Sequence, residues 1–138
     1  MRTYDLDAAN ERLATIRPLL VALRDDRAIV AAAQAAIERL AEGPQGPGTI
    51  GVRDQHEAAI RDAVGRMQGA VAQLVAWDVT LRDIETGLID FPALANGTPV
   101  WLCWRLGEGP IAWWHGADEG FAGRRPLAEL PMGGGPSS

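Results

Sequence analysis

Lysine is absent from this 138-residue chain; all thirteen basic residues are arginine. Cysteine occurs once, at Cys103, and histidine twice, at His56 and His115. One cysteine allows no intrachain disulfide. The start, MRTYDLDAANERL, is charged within its first seven residues and has no apolar leader core, so the chain reads as cytoplasmic. No apolar run approaches the ~20 residues that span a bilayer. Positive charge is also short: thirteen arginines against eighteen acids leave a net charge of −5. A protein this acidic has no basic face to displace counterions from nucleic acid or to hold an anionic membrane, so neither is expected as a partner. The arginine-only basicity, beside abundant alanine and glycine, reads as codon bias.

Motifs are equally sparse. The glycine- and proline-rich stretch EGPQGPGTIG, residues 42 to 51, lacks the Gly-Lys-Ser/Thr ending of a phosphate-cradling loop, and no HExxH or CxxC spacing occurs. What is present is an ordinary globular composition, 47% apolar and 22% charged. It suits a single domain over residues 1–132. The last six residues, 133–138, fall in PMGGGPSS and are expected to be a disordered tail.

The first half is helical in pattern. Asp5 can cap a helix over 6–41, with Leu13, Ile16, Leu20, Leu23, Val30, Ile37 and Leu40 forming one apolar stripe and Pro18 kinking it. After the loop at 42–51, a second stripe of Ile60, Val64, Met67, Val71, Leu74, Leu81, Ile84 and Leu88 predicts a helix over 53–86, closed by Gly87. Folded back on the first, it would set Asp78 opposite Arg17, either as a buried pair that fixes register or as a surface acid at the drifting edge of the stripe. Each rod would be about 50 Å long at 1.5 Å per residue. A lone hairpin of that length leaves its stripe wet, so a homodimer through a four-helix bundle is expected.

The periodicity then shortens. Residues 88–115 are expected to form a small tryptophan-rich antiparallel sheet: LIDFP, the tight-turn pair Asn96-Gly97, and two strands of PVWLCWRLGEGPIAWWH around the Gly107–Pro110 turn. The fold class is therefore α+β, mainly α, a long helical hairpin followed by a β-hairpin or three-stranded sheet, with a C-terminal loop over 116–132. Pairing Leu106 with Ile111 sets Trp104 opposite Trp113 and Leu102 opposite His115, which turns Trp113 and His115 toward the helices. Cys103 then lies with Trp101, Arg105 and Trp114 on the other face, beside no histidine, as a small buried filler.

Candidate chemistry gathers around His115. It can serve as an acid or base, or join Asp118 and Glu119 from the following loop, or Asp90 from the neighbouring strand, around a divalent metal, with His56 more distant. Arg124 and Arg125, after Gly120 and Gly123, could clamp a small organic anion or pair with nearby acids such as Asp118, Glu119 or Glu129. Glu108 sits in the turn, far along the strand from His115. The expected ligand pocket thus takes Trp113, His115, Asp118, Arg124 and Asp90.

The string GLIDFPALANGTPVWLCWRLGEGPIAWWHGADEGFAGRRPL, residues 87 to 127, resembles a small bacterial family known as domain of unknown function 2203. GLxDFP, LCWxxGE, WH and GFAGR are its recurring words, and TYDLDAANERLATIRPLL is similar to its opening. The resemblance implies no activity. It directs attention to Asp90, Cys103, Glu108, His115, Gly120, Gly123 and Arg124. Three functional readings follow, in this order: a module binding a metal or small organic anion, a helical scaffold, and an enzyme using His115.

Overall fold

The computed structural model describes residues 2–130. Helix α1 spans Leu6–Glu42 and helix α2 spans Pro47–Ala76; strands β1 (Thr80–Asp83), β2 (Leu88–Ala95), β3 (Thr98–Arg105), β4 (Trp113–Gly116) and β5 (Arg125–Pro126) follow. Asp5 caps α1, its carboxylate accepting from Ala8 N at 2.7 Å, and Pro18 lies inside the helix. The expected tail beyond 132 lies outside the described residues. Among the described residues, no helix is long and apolar enough to cross a membrane.

The second helix differs from the 53–86 reading at both ends. Its start moves back to Pro47, because proline suits the first helical position, where no amide donor is needed. The connection is therefore residues 43–46 rather than 42–51. Its end comes ten residues early, at Ala76. Val79 N donates to Leu74 O and Asp78 N to Val75 O, the paired bonds of a Schellman stop. Asp78 takes the left-handed position, φ +59°, that glycine usually fills. Leu81, Ile84 and Leu88 thus leave the helix for β1 and its turn. Asp78 accepts from Arg2 N instead of facing Arg17. The acid that does link the helices is Asp26, 7% exposed, whose Oδ1 accepts from Arg66 at 2.8 and 3.0 Å.

Among the described residues the sheet has five antiparallel strands in the order β1-β2-β3-β4-β5, not three. Asn96 (φ +55°) and Gly97 (φ +80°) make the expected two-residue turn between β2 and β3. Gly87, meant to close a helix, instead turns β1 into β2 at φ +68°; a Cβ there would sit 2.6 Å from that of Leu106. One face of the sheet packs on the helices. Leu13, Ile16, Leu20 and Leu23 of α1 and Leu74 of α2 meet Ile89, Phe91, Leu102, Trp104 and Trp114, all at most 5% exposed. Side chains of this size contribute roughly 2–3 kcal/mol each when buried. The half of the hairpin beyond Leu23 is thinner: Val30, Ile37, Leu40, Ile60 and Val64 are only half-buried.

The β3–β4 register overturns the expected facing. Leu102 pairs with Trp114 and Trp101 with His115, one residue away from the Leu102–His115 pairing. The turn is not tight: seven residues, 106–112, join the strands. Leu106 N turns back to Gly87 O, and Ile111 N reaches Asn10 Oδ1 on α1. A one-residue slip exchanges every side chain between faces. Trp114 therefore enters the helix-side core, while Trp113 and His115 join Cys103 on the far side.

Candidate functional site

Alternation decides which side chains share that far face. In β2, Ile89 and Phe91 point into the core, so Asp90 between them points away; in β3, Leu102 and Trp104 do the same for Cys103. The β2–β3 register sets Asp90 directly opposite Cys103, and Cys103 opposite Trp113. His115, two residues further along β4, brings its Nε2 to 2.9 Å from Asp90 Oδ2. Asp90, Cys103 and His115 are each at most 2% exposed, and one ligand-type atom from each lies within 4.8 Å of the others. Residues 117–121 roof this face, leaving a cavity of about 470 Å³ whose walls include Arg82, Asp90, Cys103, His115, Asp118 and Glu119.

The hydrogen bonds around this trio are uneven. Asp90 Oδ2 accepts from Arg82 Nε at 2.8 Å as well as meeting His115, whereas Asp90 Oδ1 is buried with no partner. An orphaned carboxylate oxygen costs about 1–3 kcal/mol. His115 has an acceptor at both nitrogens: Gly116 O lies 3.0 Å from Nδ1, and Asp90 lies at Nε2. A neutral imidazole has a single N–H, so it cannot donate to both acceptors at once. Burial pushes the Cys103 thiol up to about 11, with Arg124 pulling it back down and Asp90 adding to the rise. Such a thiol is no ready nucleophile; a bound cation would displace its proton.

Four of the charged residues nearby are already engaged with one another. Arg124 holds Glu108 through two bonds of 2.7 and 2.8 Å and turns its Nε to Cys103 Sγ at 3.3 Å. Arg125 pairs with Glu119, as read from the sequence, but Arg124 finds its acid in the β3–β4 connection rather than in the C-terminal loop. Burial opposes ionisation of Glu108, yet the bonds from Arg124 and from Arg105 N outweigh it and hold the carboxyl below its ordinary range. The Gly116 N–H does the same for Glu119, helped by Arg125.

The structure thus joins Asp90 with His115 and adds Cys103, which the mistaken register had separated from every histidine. Asp118 is exposed at the cavity wall, and Glu119 is spent on Gly116 and Arg125. Trp113 stands beside the trio beneath the Arg124 guanidinium, 5.1 Å from its ring centre. His56 lies twenty residues before the end of α2 that meets the sheet, roughly 30 Å away along the axis. Glu108 bonds Arg124, which in turn bonds Cys103, whereas the His115 ring nitrogens face Asp90 and Gly116. A signal for the trio was present, since the Asn96-Gly97 turn alone sets Asp90 opposite Cys103.

Fold and site together define an α+β protein that buries an Asp-Cys-His cluster on the sheet face turned away from its helices. The chain belongs to the family described as uncharacterized conserved protein (DUF2203), whose pattern it matches over residues 2–127. Among curated proteins and among solved structures, nothing matches it.

Proposed function

We propose that this protein is a metal-binding module that takes one divalent transition-metal ion on Asp90, Cys103 and His115. The observation that carries the reading is the orphaned Oδ1 of Asp90, buried beside a thiol and an imidazole nitrogen that faces an acceptor. Carboxylate, thiolate and imidazole together suit zinc or its cobalt substitute rather than magnesium or calcium, which prefer all-oxygen sets. In a tetrahedral set the ligand atoms stand roughly 3.3–3.8 Å apart, so on binding the widest gap of the trio, within 4.8 Å, closes by roughly 1 Å and the 2.9 Å contact of His115 Nε2 with Asp90 Oδ2 opens. Three protein ligands leave a fourth position, which the cavity serves. A metal is favoured over an organic anion because Arg124 and Arg125 already hold carboxylates, and the cavity wall carries Asp90, Asp118 and Glu119 against Arg82.

The test is loading. Chelator-stripped protein should retain one equivalent of cobalt(II) or zinc(II) after dialysis, with a thiolate-to-cobalt absorption band. Asp90→Asn, Cys103→Ser and His115→Gln should each lose the ion. A folded wild-type protein that retains less than a tenth of an equivalent would end this reading.

A second reading, the helical scaffold, has its own support. Beyond Leu23 the hairpin carries half-buried Val30, Ile37, Leu40 and Ile60 and exposed Ile29, Ile50 and Val52. Two long helices without a third layer are marginal. A second copy laid against this arm completes a four-helix bundle, and sedimentation equilibrium measures it.

A further inference from the structure

The family words GE and GFAGR place two residues, Glu108 and Arg124, that ligate nothing in the cluster. Their geometry is nonetheless specific. Arg124 is 11% exposed in its side chain, with its guanidinium 5.1 Å from the Trp113 ring centre and 4.7 Å from that of Phe121. Both terminal nitrogens are taken by Glu108, and Glu108 is itself held by Arg105 N at 2.8 Å. The third nitrogen, Nε, points at Cys103 Sγ. Across the site Arg82 repeats the arrangement: its guanidinium lies 4.9 Å from the Trp101 ring centre and its Nε donates to Asp90 Oδ2. Gly116 O holds His115 Nδ1. Each member of the trio thus has one outer partner, His115 Nε2 faces Asp90 Oδ2, and Asp90 Oδ1 is left without a partner.

We propose that Glu108 and Arg124 are positioning residues for the sulfur ligand: Glu108 sets the guanidinium plane, and the Arg124 Nε–H holds Cys103 Sγ toward Asp90 and His115 and withdraws charge from it when it binds the metal. The inference rests on the metal reading above. Only arginine fits the role, because one planar group must serve a carboxylate through two nitrogens and a sulfur through a third at once. Outer partners of this kind typically govern metal affinity by 10- to 100-fold. A hydrogen bond to a bound thiolate also lowers the energy of its lone pair, so its loss moves the sulfur-to-metal transition to longer wavelength.

The experiment uses cobalt(II) with the full-length protein. Arg124→Gln is expected to bind cobalt about 10- to 100-fold more weakly, and its thiolate-to-cobalt band should move to longer wavelength. Arg124→Lys should restore neither property. Glu108→Gln keeps the guanidinium but loosens its seat, so it should give a smaller shift in the same direction and covers the case in which Arg124→Gln does not fold. Arg82→Gln removes the matching donor from Asp90, and should weaken binding while leaving the sulfur band in place. If wild type loads cobalt and the band stays fixed in both Arg124→Gln and Glu108→Gln, or moves equally in Arg82→Gln, the positioning role is refuted while the metal site stands. If wild type takes no cobalt, the site itself is refuted, and this role with it.

Discussion

Replacing Asp90 by asparagine separates a functional carboxylate from a structural one. Asp90 is 1% exposed and touches Arg82 and His115, so a structural role would predict a large loss; removing one partner of a buried ion pair costs about 3–5 kcal/mol. Three features argue for a smaller effect. The Arg82 side chain is 42% exposed, so its pairing is screened and contributes less than about 1 kcal/mol. Asparagine keeps a carbonyl oxygen for Arg82 and His115. The lost atom, Oδ1, has no partner to forfeit. The metal-free variant should therefore lie within about 1 kcal/mol of wild type, roughly 3 °C in Tm for a chain of this size. Zinc reverses the comparison. At a free concentration a thousand times Kd, an ion bound only by the folded state adds about 4 kcal/mol. That raises the wild-type Tm by about 12 °C and leaves the variant where it was. Scanning calorimetry of both proteins, in chelator and in zinc, reads all four values. A metal-free loss of 3 kcal/mol or more in the variant, with no zinc increment in wild type, would show that Asp90 holds the sheet together and binds nothing.

Other expectations follow from single contacts. Gly87→Ala places a side chain at φ +68° and against Leu106, and should lower stability by at least about 2 kcal/mol in urea titration; an unchanged midpoint would contradict the turn. Glu108 is held below its ordinary value of 4.5, so its contribution is full above the unfolded value and is lost as the pH falls through the lower folded one. The urea midpoints of wild type and Glu108→Gln should therefore differ by a constant amount near neutrality and converge below pH 4.5. Ile37→Asp, on the thin half of the hairpin, should abolish self-association in sedimentation equilibrium while leaving the near-ultraviolet signal of the tryptophan sheet intact; wild type that is monomeric at every concentration would remove the bundle.

The elements that could be read directly were those whose signals are local. Asp5 before an apolar stripe marked the start of α1, and Asn96-Gly97 marked a two-residue turn because both residues tolerate positive φ. The end of α2 was hidden for a local reason too. Asp78 does the work of a terminal glycine, while Leu81, Ile84 and Leu88 continue the helical stripe by coincidence with strand and turn positions. Stripe spacing cannot distinguish these cases, but the β-branched pair Val79-Thr80 beside a residue tolerant of the left-handed conformation could have raised the alternative. Strand β5 had no legible signal: two residues pair with β4 only because the loop before them folds over the sheet.

The site depended on something less local, the length of one connection. Trp113 and Trp114 are equally apolar, so alternation alone cannot say which enters the core. A tight turn at Gly107–Pro110 selects Trp113; the seven-residue connection selects Trp114. The choice is made by polar residues. Turning His115 toward the helices would bury an imidazole among leucines, whereas the opposite facing gives it Asp90 at 2.9 Å. Asp90 already had to face away from the core, because Ile89 and Phe91 on either side of it face in, and the Asn96-Gly97 turn carries Cys103 to the same place. The β4 register is thus fixed jointly by the tryptophan that fits against the helices and the histidine that fits beside the acid. Burying three ligand-type side chains on the sheet's second face adds little to a core that the first face already supplies. Their convergence, with one carboxylate oxygen left over, is costly for a fold and useful for a metal.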